Sequence, residues 1–334
     1  MKTEFEFVEN LKNKIPMRRS TTFARVGIGD DCAVLPKDKQ TDLVITTDLL
    51  IEEIDFRLDW TRAQFLGHKA LAVSLSDVAA MGAKPVWAML SIGIPANIWK
   101  TDFVEKFYGG WFRLAKKYNV ELVGGDVSKT PDKIVIDSIV AGEVKRGKAV
   151  LRSGAKVGDL IFVTGKLGGA AAGLKLLENG ERYEKSKYKN LLLRQLAPNP
   201  QTEIGLILGA KNLAAAMIDT SDGLSSDLSH ICRASKVGAK IYADKIPSEG
   251  FLTRRREGAK AQSIKNFTSS LALNGGEDYE LLFTVNPKKK IRLLKSLANF
   301  TVSHIGEITS NADVIELISN SETVVLEPKG FRHF

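Results

Sequence analysis

Six short clusters in the sequence place carboxylates beside glycine, serine or threonine, a combination suited to binding metal ions and phosphates. They are Gly29-Asp30-Asp31, Thr46-Thr47-Asp48, Ser76-Asp77, Gly124-Gly125-Asp126, Asp219-Thr220-Ser221-Asp222-Gly223 and Gly275-Gly276-Glu277-Asp278. Carboxylate oxygens are hard ligands of the kind that Mg²⁺ prefers, and each Mg²⁺ ion takes only one or two carboxylates. Small residues let backbone N–H groups approach phosphate oxygens. The clusters could therefore hold several Mg²⁺ ions bridged by phosphates.

Each cluster taken alone also has a simpler structural explanation. An aspartate after a strand is commonly a turn former or a helix N-cap, and Asp222 could simply cap the helix that follows it. Asp77 is harder to explain in this way, because it lies inside an apolar helical pattern between Ser76 and Val78. A buried carboxylate without a partner is costly at such a position. Six clusters of one composition favour a shared function.

Apolar runs that predict strands come directly before three of the clusters. These runs are Leu43–Thr47, Val120–Val123 and Ala214–Ile218. In layered α/β folds, ligands bind at the carboxyl ends of strands. We therefore expect the acidic side chains to converge on one ligand.

Helices are predicted between these strands. Thr61 begins the first, with Gln64 completing a capping box, and Gly82 follows its end. Thr101 caps a second helix, and Ser221 or Asp222 caps a third. The buried stripe of the second consists of Phe103, Phe107, Trp111, Leu114 and Tyr118. Further strands are predicted at Val86–Ile94, Ile134–Val144, Asp159–Thr164, Leu281–Val285 and Thr301–Ile308, a helix from Gly168 to about Gly180, and irregular chain at 248–270.

The length and the repeated alternation of strands and helices predict two layered α/β domains. The chain has 334 residues, and domains typically contain about 100–200. We place the boundary in a basic, turn-prone segment near residue 150, which gives domains 1–148 and 149–334. Hydrophobic residues make up 44% and charged residues 26%, a balance that excludes a disordered chain.

Composition also predicts a cytoplasmic protein without a membrane span. The longest charge-free apolar run, Pro85–Trp99, has 15 residues and two prolines, whereas crossing a bilayer takes about 20 apolar residues. The N-terminal segment has acidic residues where a signal peptide needs an apolar core. Cys32 and Cys232 cannot form a disulfide framework, which favours the reducing cytosol.

Other chemistries have little support in the sequence. There is no GxxxxGK[ST] loop, no HExxH pair and no GxSxG elbow. We interpret His68 as a surface or core-edge hydrogen-bonding residue, and Cys32 as a small buried thiol. The net charge of +9 allows attraction to polyanions. However, the basic runs 254–256 and 288–290 carry no interleaved aromatic residues, so we expect solvated surface and no nucleic-acid partner.

A set of motifs in this chain resembles the thiamine-monophosphate kinase family, over nearly the whole length and in the same order. The motifs are GIGDDCAVL (27–35), TTDLLIEEIDF (46–56), GHKALAVSLSDVAAMGAKP (67–85), GGD (124–126), IDTSDGLSSD (218–227), NGGEDYELLF (274–283) and EPKGFRHF (327–334). The wider superfamily includes aminoimidazole ribonucleotide synthetase, and its members are ATP-using enzymes with two α/β domains.

The resemblance implies an activity, a site and an assembly. It implies transfer of a phosphoryl group from ATP to thiamine monophosphate, directly in line and without a general base. It also implies a homodimer in which the N-terminal sheets join, and a C-terminal α/β domain that completes the active site. The implied Mg²⁺ ligands are Asp31, Thr46, Thr47, Asp48, Asp77, Asp126, Asp219 and Asp222. The implied ATP contacts are Tyr108, Gly125, Asp126, Arg152 and Ser221, and the implied acceptor contacts are Asp55, Glu277 and Phe331.

Two departures from the family pattern fall on the acceptor side. The family usually has a histidine where this chain has Asp55, and a tryptophan where it has Phe331. Phenylalanine keeps the aromatic face but loses the indole N–H, and a carboxylate near a cationic thiazolium ring is tolerable. Two alternatives stay open at this point: another ATP-using enzyme of the superfamily, similar to aminoimidazole ribonucleotide synthetase, and a non-enzymatic polyanion-binding protein.

Overall fold

The computed structural model of the chain describes residues 7, 8, 10, 11, 24–249, 270–319 and 322–330, which contain two mixed sheets with helices packed against them. The first sheet has the strand order β1-β2-β5-β3-β4. Its pairs are antiparallel except for the parallel pair β3–β4. The strands are β1 (Ala33–Pro36), β2 (Thr41–Ile51), β3 (Lys84–Pro95), β4 (Glu121–Thr130) and β5 (Val135–Lys145).

One central helix of the first half touches both sheets. The helices of this half are α1 (Ala63–Ala80), α2 (Ala96–Trp99) and α3 (Phe103–Tyr118). Fourteen of the 18 residues of α1 are buried, and a helix that is apolar all round has to be enclosed by protein. It packs on β2, β3, β5 and α3, and also on strand Ala216–Asp219 and helix Thr202–Ala210 of the second half. Side chains of α1 can therefore meet groups from both halves.

Two glycines allow α1 and α3 to pack with their backbones in contact. A Cβ atom on Gly67 would lie 1.9 Å from Phe107 O, and one on Gly110 would lie 1.9 Å from Gln64 O. Neither backbone oxygen can move without shifting its helix. By contrast, a Cβ atom on Gly109, the neighbouring residue of α3, meets nothing within 4 Å.

We therefore expect Gly110→Ala to destabilise the fold by at least about 2 kcal/mol, because overpacking here forces two helix backbones apart. Gly109→Ala is the matched control, and it should leave stability unchanged or raise it by up to about 1 kcal/mol through better helix propensity. Urea unfolding followed by circular dichroism compares the two variants. Equal stabilities would contradict the close packing of α1 and α3.

The second half of the chain forms the larger sheet. Its strand order is β12-β11-β8-β10-β6-β9-β7. The strands are β6 (Leu160–Thr164), β7 (Ala216–Asp219), β8 (Gly238–Tyr242), β9 (Leu281–Val285), β10 (Val302–Thr309), β11 (Ile315–Ser319) and β12 (Glu322–Val325). The helices are α4 (Gly169–Glu178), α5 (Lys189–Leu196), α6 (Thr202–Ala210), α7 (Leu224–Ser235) and α8 (Lys290–Ser296). Across the described ranges, no helix combines the length and apolar character needed to cross a bilayer.

The predicted layered α/β class is confirmed, and so are several individual features. Strands β3, β5, β6, β9 and β10 lie within a few residues of their predicted positions. Phe107, Trp111 and Leu114 of α3 are buried, as their spacing predicts. Cys32 is a buried free thiol, and His68 Nε2 lies 2.7 Å from Pro198 O. Strand β5 ends at Lys145 and β6 begins at Leu160, while the domain limits 1–148 and 149–334 stay a prediction.

The predicted helix caps were wrong in detail. Helix α1 has Arg62 as its N-cap and no side-chain cap, so the capping box of Thr61 does not form. Helix α7 begins after Gly223, whose φ of +116° favours glycine, and neither Ser221 nor Asp222 caps it. Thr101 Oγ1 accepts a hydrogen bond from Phe103 N, although the N-cap position of α3 is Asp102. Most of the segment 248–270 and the basic run 254–256 lie outside the described residues.

Two predicted strand ends were also wrong. Strand β2 continues through Asp48 to Ile51, and β4 continues through Gly125 and Asp126 to Thr130. These clusters therefore lie inside strands, where successive side chains point to opposite faces. Only Asp219 ends its strand as predicted. The alternation of faces, which depends on the full length of each strand, decides which acidic side chains can meet.

Candidate active site

Three carboxylates from different parts of the fold come together between the two sheets. Asp31 precedes β1, Asp77 lies in α1, and Asp219 ends β7. One oxygen of each carboxylate lies within 4.8 Å of the others, and we call these three residues the carboxylate cluster. Such spacing suits oxygen ligands arranged around one divalent ion. The cluster brings together three of the six acidic motifs, while a common ligand for them stays a prediction.

Hydroxyl and guanidinium groups hold the cluster in place. Thr46 Oγ1 donates to Asp77 Oδ2 at 2.5 Å, and Ser76 Oγ donates to Asp219 Oδ2 at 2.5 Å. Arg152 Nη2 donates to Asp31 Oδ1 at 2.8 Å. The second oxygen of Asp31 is buried and accepts no hydrogen bond from the described residues. A buried carboxylate oxygen without a donor is costly, and a bound cation would satisfy it.

Burial and mutual repulsion raise the pKa values of three acids at the site, Asp77, Asp219 and Asp48. Burial, aided by the charges of Asp48, Asp219 and Asp31, raises the pKa of Asp77 well above its usual range. Burial and the charge of Asp31 raise the pKa of Asp219 to about 8. Burial raises the pKa of Asp48 to about 6, although a hydrogen bond from Ser74 opposes the rise. Divalent cations would reverse these shifts by stabilising the ionised carboxylates.

Strand β2 divides the Thr46-Thr47-Asp48 motif between two faces. Ser74 Oγ of α1 donates to Asp48 Oδ2 at 2.7 Å, so Thr46 and Asp48 both face α1 and the cluster. The side chain of Thr47 points to the opposite face, where its Oγ1 donates to Asp137 Oδ1 at 2.6 Å. Of the three predicted ligands in this motif, two side chains therefore reach the site.

Asp126 lies on the same face as Thr47. Strand pairing places Asp126 opposite Ser91, and Ser91 opposite Asp137, and residues paired in this way share a face. The described chain therefore does not bring the Asp126 side chain into the carboxylate cluster. Gly125 beside it has a φ of +154°, and a Cβ atom there would lie 1.9 Å from Leu90 O, so only glycine fits this close strand contact.

A pocket of about 670 Å³ lies beside the cluster. Asp48, Ser221 and Asp222 form part of its wall, as do the predicted acceptor residues Asp55 and Glu277. Apolar side chains make up much of the remaining wall: Leu50, Ile54, Phe56, Trp60, Val73, Leu174 and Leu196. Asp48 of the pocket wall lies two residues along β2 from Thr46, whose hydroxyl donates to Asp77 of the cluster, so the pocket and the cluster adjoin each other.

The two predicted acceptor residues that the structure describes, Asp55 and Glu277, are held by several contacts. Asp55 Oδ2 accepts a hydrogen bond from Ile51 N at 2.8 Å. Glu277 forms an ion pair with Lys69 and accepts a hydrogen bond from Gln195 Nε2. Phe331 lies outside the described residues, but Gly330 is seated against Asp222, since a Cβ atom on it would lie 2.8 Å from Asp222 O.

Comparison with known proteins extends over both halves of the chain. Residues 29–144 match the family of the AIR synthase related protein, N-terminal domain, and residues 156–318 match the corresponding C-terminal domain. The thiamine-monophosphate kinase of Escherichia coli K12 is 38% identical over 334 residues, which cover 99% of this chain and 98% of the relative. That of Buchnera aphidicola subsp. Acyrthosiphon pisum is 41% identical over 315 residues, covering 92% of each chain.

The chain belongs to the thiamine-monophosphate kinase family. Solved structures of the family have the same fold. The structure of AaThiL complexed with AMPPCP and TMP has a TM-score of 0.80 at 30% identity and covers 99% of this chain and 97% of that one. The thiamine-monophosphate kinase of Stenotrophomonas maltophilia K279a has a TM-score of 0.75 at 34% identity, covering 96% and 98%. As a member of this family the protein is a kinase, and the non-enzymatic alternative is set aside.

Because the chain belongs to this family, we compared the positions of three implied ATP contacts with those of the carboxylate cluster and the pocket. Arg152 binds Asp31, and its backbone N–H donates to Asp30 at 3.2 Å, so it lies at the cluster. Ser221 lines the pocket. Tyr108 of α3 instead makes ring contacts with Phe107 and Phe112 of its own helix, and it does not line the pocket. Its role at the nucleotide stays a prediction.

Sequence reasoning missed several residues that position the site. Ser74 and Ser76 were not predicted as hydrogen-bond donors to the aspartates, and Asp137 was not predicted as the partner of Thr47. Lys69 was not singled out either. It did carry a signal in the sequence, because it is a charged residue within the same apolar helical pattern that drew attention to Asp77.

Proposed function

We propose that this chain transfers the γ-phosphoryl group of ATP to thiamine monophosphate, giving ADP and thiamine diphosphate. The observation that carries the proposal is the continuity between the carboxylate cluster and the adjoining pocket. The cluster suits metal-bound phosphates, and the pocket provides apolar walls for an organic acceptor. The solved relative bound to AMPPCP and TMP supports both parts of this assignment.

The charge of the pocket supports a cationic acceptor. Among the described residues, its lining contains six carboxylates, namely Asp48, Glu53, Asp55, Glu178, Asp222 and Glu277, and two cations, Arg57 and Lys69. This excess of negative charge favours a thiazolium ring over a neutral one. It also explains how Asp55 can stand where the family usually has histidine, because the added carboxylate attracts the same ring.

The residues of the site fit Mg²⁺. Asp31, Asp48, Asp77 and Asp219 would hold the ions, together with Thr46 and with Asp222 at the pocket wall. The buried oxygen of Asp31, which accepts no hydrogen bond within the described part of the chain, is the clearest sign of this fit. Bound Mg²⁺ would offset the repulsion between the two phosphates, which is about 4 kcal/mol for unit charges about 4 Å apart at an effective dielectric of 20. Thr47 and Asp126 stay predicted ligands.

Direct in-line transfer of the phosphoryl group needs little help from a general base. The acceptor is a phosphate monoester with a second pKa of about 6, so near pH 7 its attacking oxygen is mostly deprotonated. The protein has to hold two anions together and stabilise the transferred group. Arg152, fixed by Asp31 at the edge of the cluster, is placed to contribute positive charge.

The experiment that tests the proposal identifies products by mass. The purified protein is incubated with MgATP and, separately, with thiamine, thiamine monophosphate or no acceptor. Thiamine diphosphate should form only from thiamine monophosphate, and ATP/ADP exchange without acceptor should be absent because no phosphoenzyme forms. Release of ADP without thiamine diphosphate would favour the alternative of another ATP-using enzyme of the superfamily.

We also propose a homodimer that covers the open face of the first sheet. This face lies opposite α1 and carries Leu49 (55% exposed) and Met89 (38% exposed) beside Asp137. A second copy of the chain would bury these apolar side chains, in agreement with the family resemblance. A cytoplasmic location stays a prediction.

Met89→Glu should convert the dimer into a monomer, because it places a charge in the proposed interface. Ile291→Glu, at an apolar residue of α8 that is 72% exposed, is the matched control and should stay dimeric. Light scattering after size exclusion measures both masses. A monomeric unsubstituted protein, or a dimeric Met89→Glu variant, would argue against this interface.

A further inference from the structure

Lys69 is a buried cation in the wall of the pocket. It lies in α1, and its side chain is only 3% exposed. Lysine is almost never buried to this extent unless its charge is paired. In the part of the chain that the structure describes, Lys69 and Arg57 are the cations that line the pocket.

The contacts of Lys69 join the two described acceptor residues. Its Nζ lies 2.5 Å from Glu277 Oε1 and donates to the backbone oxygen of Asp55 at 3.3 Å. Asp55 belongs to the chain after β2, whereas Glu277 precedes β9 of the second sheet. The ammonium group therefore connects the acceptor side of one half of the molecule with that of the other.

The backbone around Glu277 shows why such an anchor is needed. Glu277 has a φ of +64° and Tyr279 a φ of +51°, and left-handed conformations at non-glycine residues are costly. Glu277 N also donates to Ser221 O at 2.8 Å. Glu277 is thus fixed at its backbone by Ser221 and at its carboxylate by Lys69 and Gln195.

We propose that Lys69 is a positioning residue of the acceptor subsite, which holds the Glu277 carboxylate and the Asp55 segment at the distance that the acceptor requires. This inference rests on the proposed function. The contacts that define it involve the acceptor side, whereas Arg152 and Asp31 lie at the carboxylate cluster. Losing Lys69 should therefore impair binding of thiamine monophosphate and leave binding of ATP unchanged.

Steady-state kinetics of Lys69→Met test this inference. We expect the KM for thiamine monophosphate to rise about tenfold to a hundredfold, as for loss of a charge-assisted hydrogen bond. The KM for ATP should stay within about twofold, because the contacts of Lys69 lie on the acceptor side. This second constant separates the two explanations, since uniform damage to the fold would change both KM values. In a Glu277→Gln background, Lys69→Met should add little, since the two residues act as a pair.

A matched control is Arg62→Met, which removes the cation of another ion pair between the two halves, the exposed pair with Glu184. This variant should keep both KM values.

Equal increases of the two constants in Lys69→Met, or full additivity with Glu277→Gln, would overturn the inference while the proposed function stands. If the unsubstituted protein makes no thiamine diphosphate, the proposed function itself fails. Lys69→Gln serves as a second variant if Lys69→Met does not fold, and it should shift the same constant.

Discussion

Asp77→Asn is expected to lower the rate of phosphoryl transfer by about a thousandfold. Asp77 is the member of the carboxylate cluster that lies on the central helix, between Asp31 of the first half and Asp219 of the second. An amide keeps the shape of the side chain but removes the charge that would bind Mg²⁺. Because the acceptor needs little help from a general base, metal-assisted charge neutralisation accounts for most of the expected loss.

The same variant should fold at least as well as the unsubstituted protein in the absence of metal. Burial and the charges of Asp48, Asp219 and Asp31 raise the pKa of Asp77, which means that its ionised form destabilises the fold. A neutral side chain relieves this repulsion, and its amide oxygen can still accept the hydrogen bond from Thr46. We therefore expect an equal or higher melting temperature together with the loss of activity.

The matched control for this substitution is Asp102→Asn. Asp102 is an exposed aspartate that forms an ion pair with Lys106 at the start of α3, so the same chemical change there should leave the rate unchanged. Rates are measured as thiamine diphosphate formed at saturating MgATP and thiamine monophosphate. If Asp77→Asn turns over at the unsubstituted rate, Asp77 does not bind a metal ion that the reaction requires.

The sequence was sufficient to predict which residue types form the site, but not which side chains meet. Asp77 was recognisable because a carboxylate inside an apolar helix needs a partner. Thr47 was grouped with Thr46 and Asp48, and only the full extent of β2 shows that it points to the opposite face. The local sequence pattern predicts that a strand is present but not where it ends. It therefore cannot predict which side chains of the motif point to which face of the sheet.

Contacts between the two halves were the least predictable from sequence. The apolar character of α1 on every side predicts burial, but it does not say that the helix packs on both β2 and β7. For the same reason, the sequence could not show that Lys69 would meet Glu277, some 200 residues further along the chain. Such pairs depend on tertiary packing, which single-sequence periodicity does not encode.

The pH dependence of stability offers a test of the metal site that does not depend on turnover. Metal removal abolishes activity in any kinase that uses MgATP, so loss of turnover alone does not locate the ions. In the folded chain burial raises the pKa of Asp48 to about 6, of Asp30 to about 7 and of Asp219 to about 8. The pKa of an unfolded aspartate is about 3.9.

Between about pH 4 and 8, therefore, the folded state binds more protons than the unfolded state, and the stability of the metal-free protein falls as pH rises. Each unit of pKa difference corresponds to about 1.4 kcal/mol. Mg²⁺ binds the ionised carboxylates, so it should stabilise the protein increasingly over the same range. Without nucleotide, we expect Mg²⁺ to raise the melting temperature by about 5–10 °C at pH 8 and by much less at pH 5.

Differential scanning calorimetry with and without Mg²⁺ measures this effect, and NaCl at matched ionic strength controls for screening of surface charges. Asp219→Asn removes one of the titrating groups, so its metal-free stability should fall less steeply with pH and its response to Mg²⁺ should shrink. A response to Mg²⁺ that is independent of pH, or equal to that of NaCl, would mean that the buried carboxylates do not bind the ion. The convergence of acidic motifs would then have to be explained by something other than metal binding.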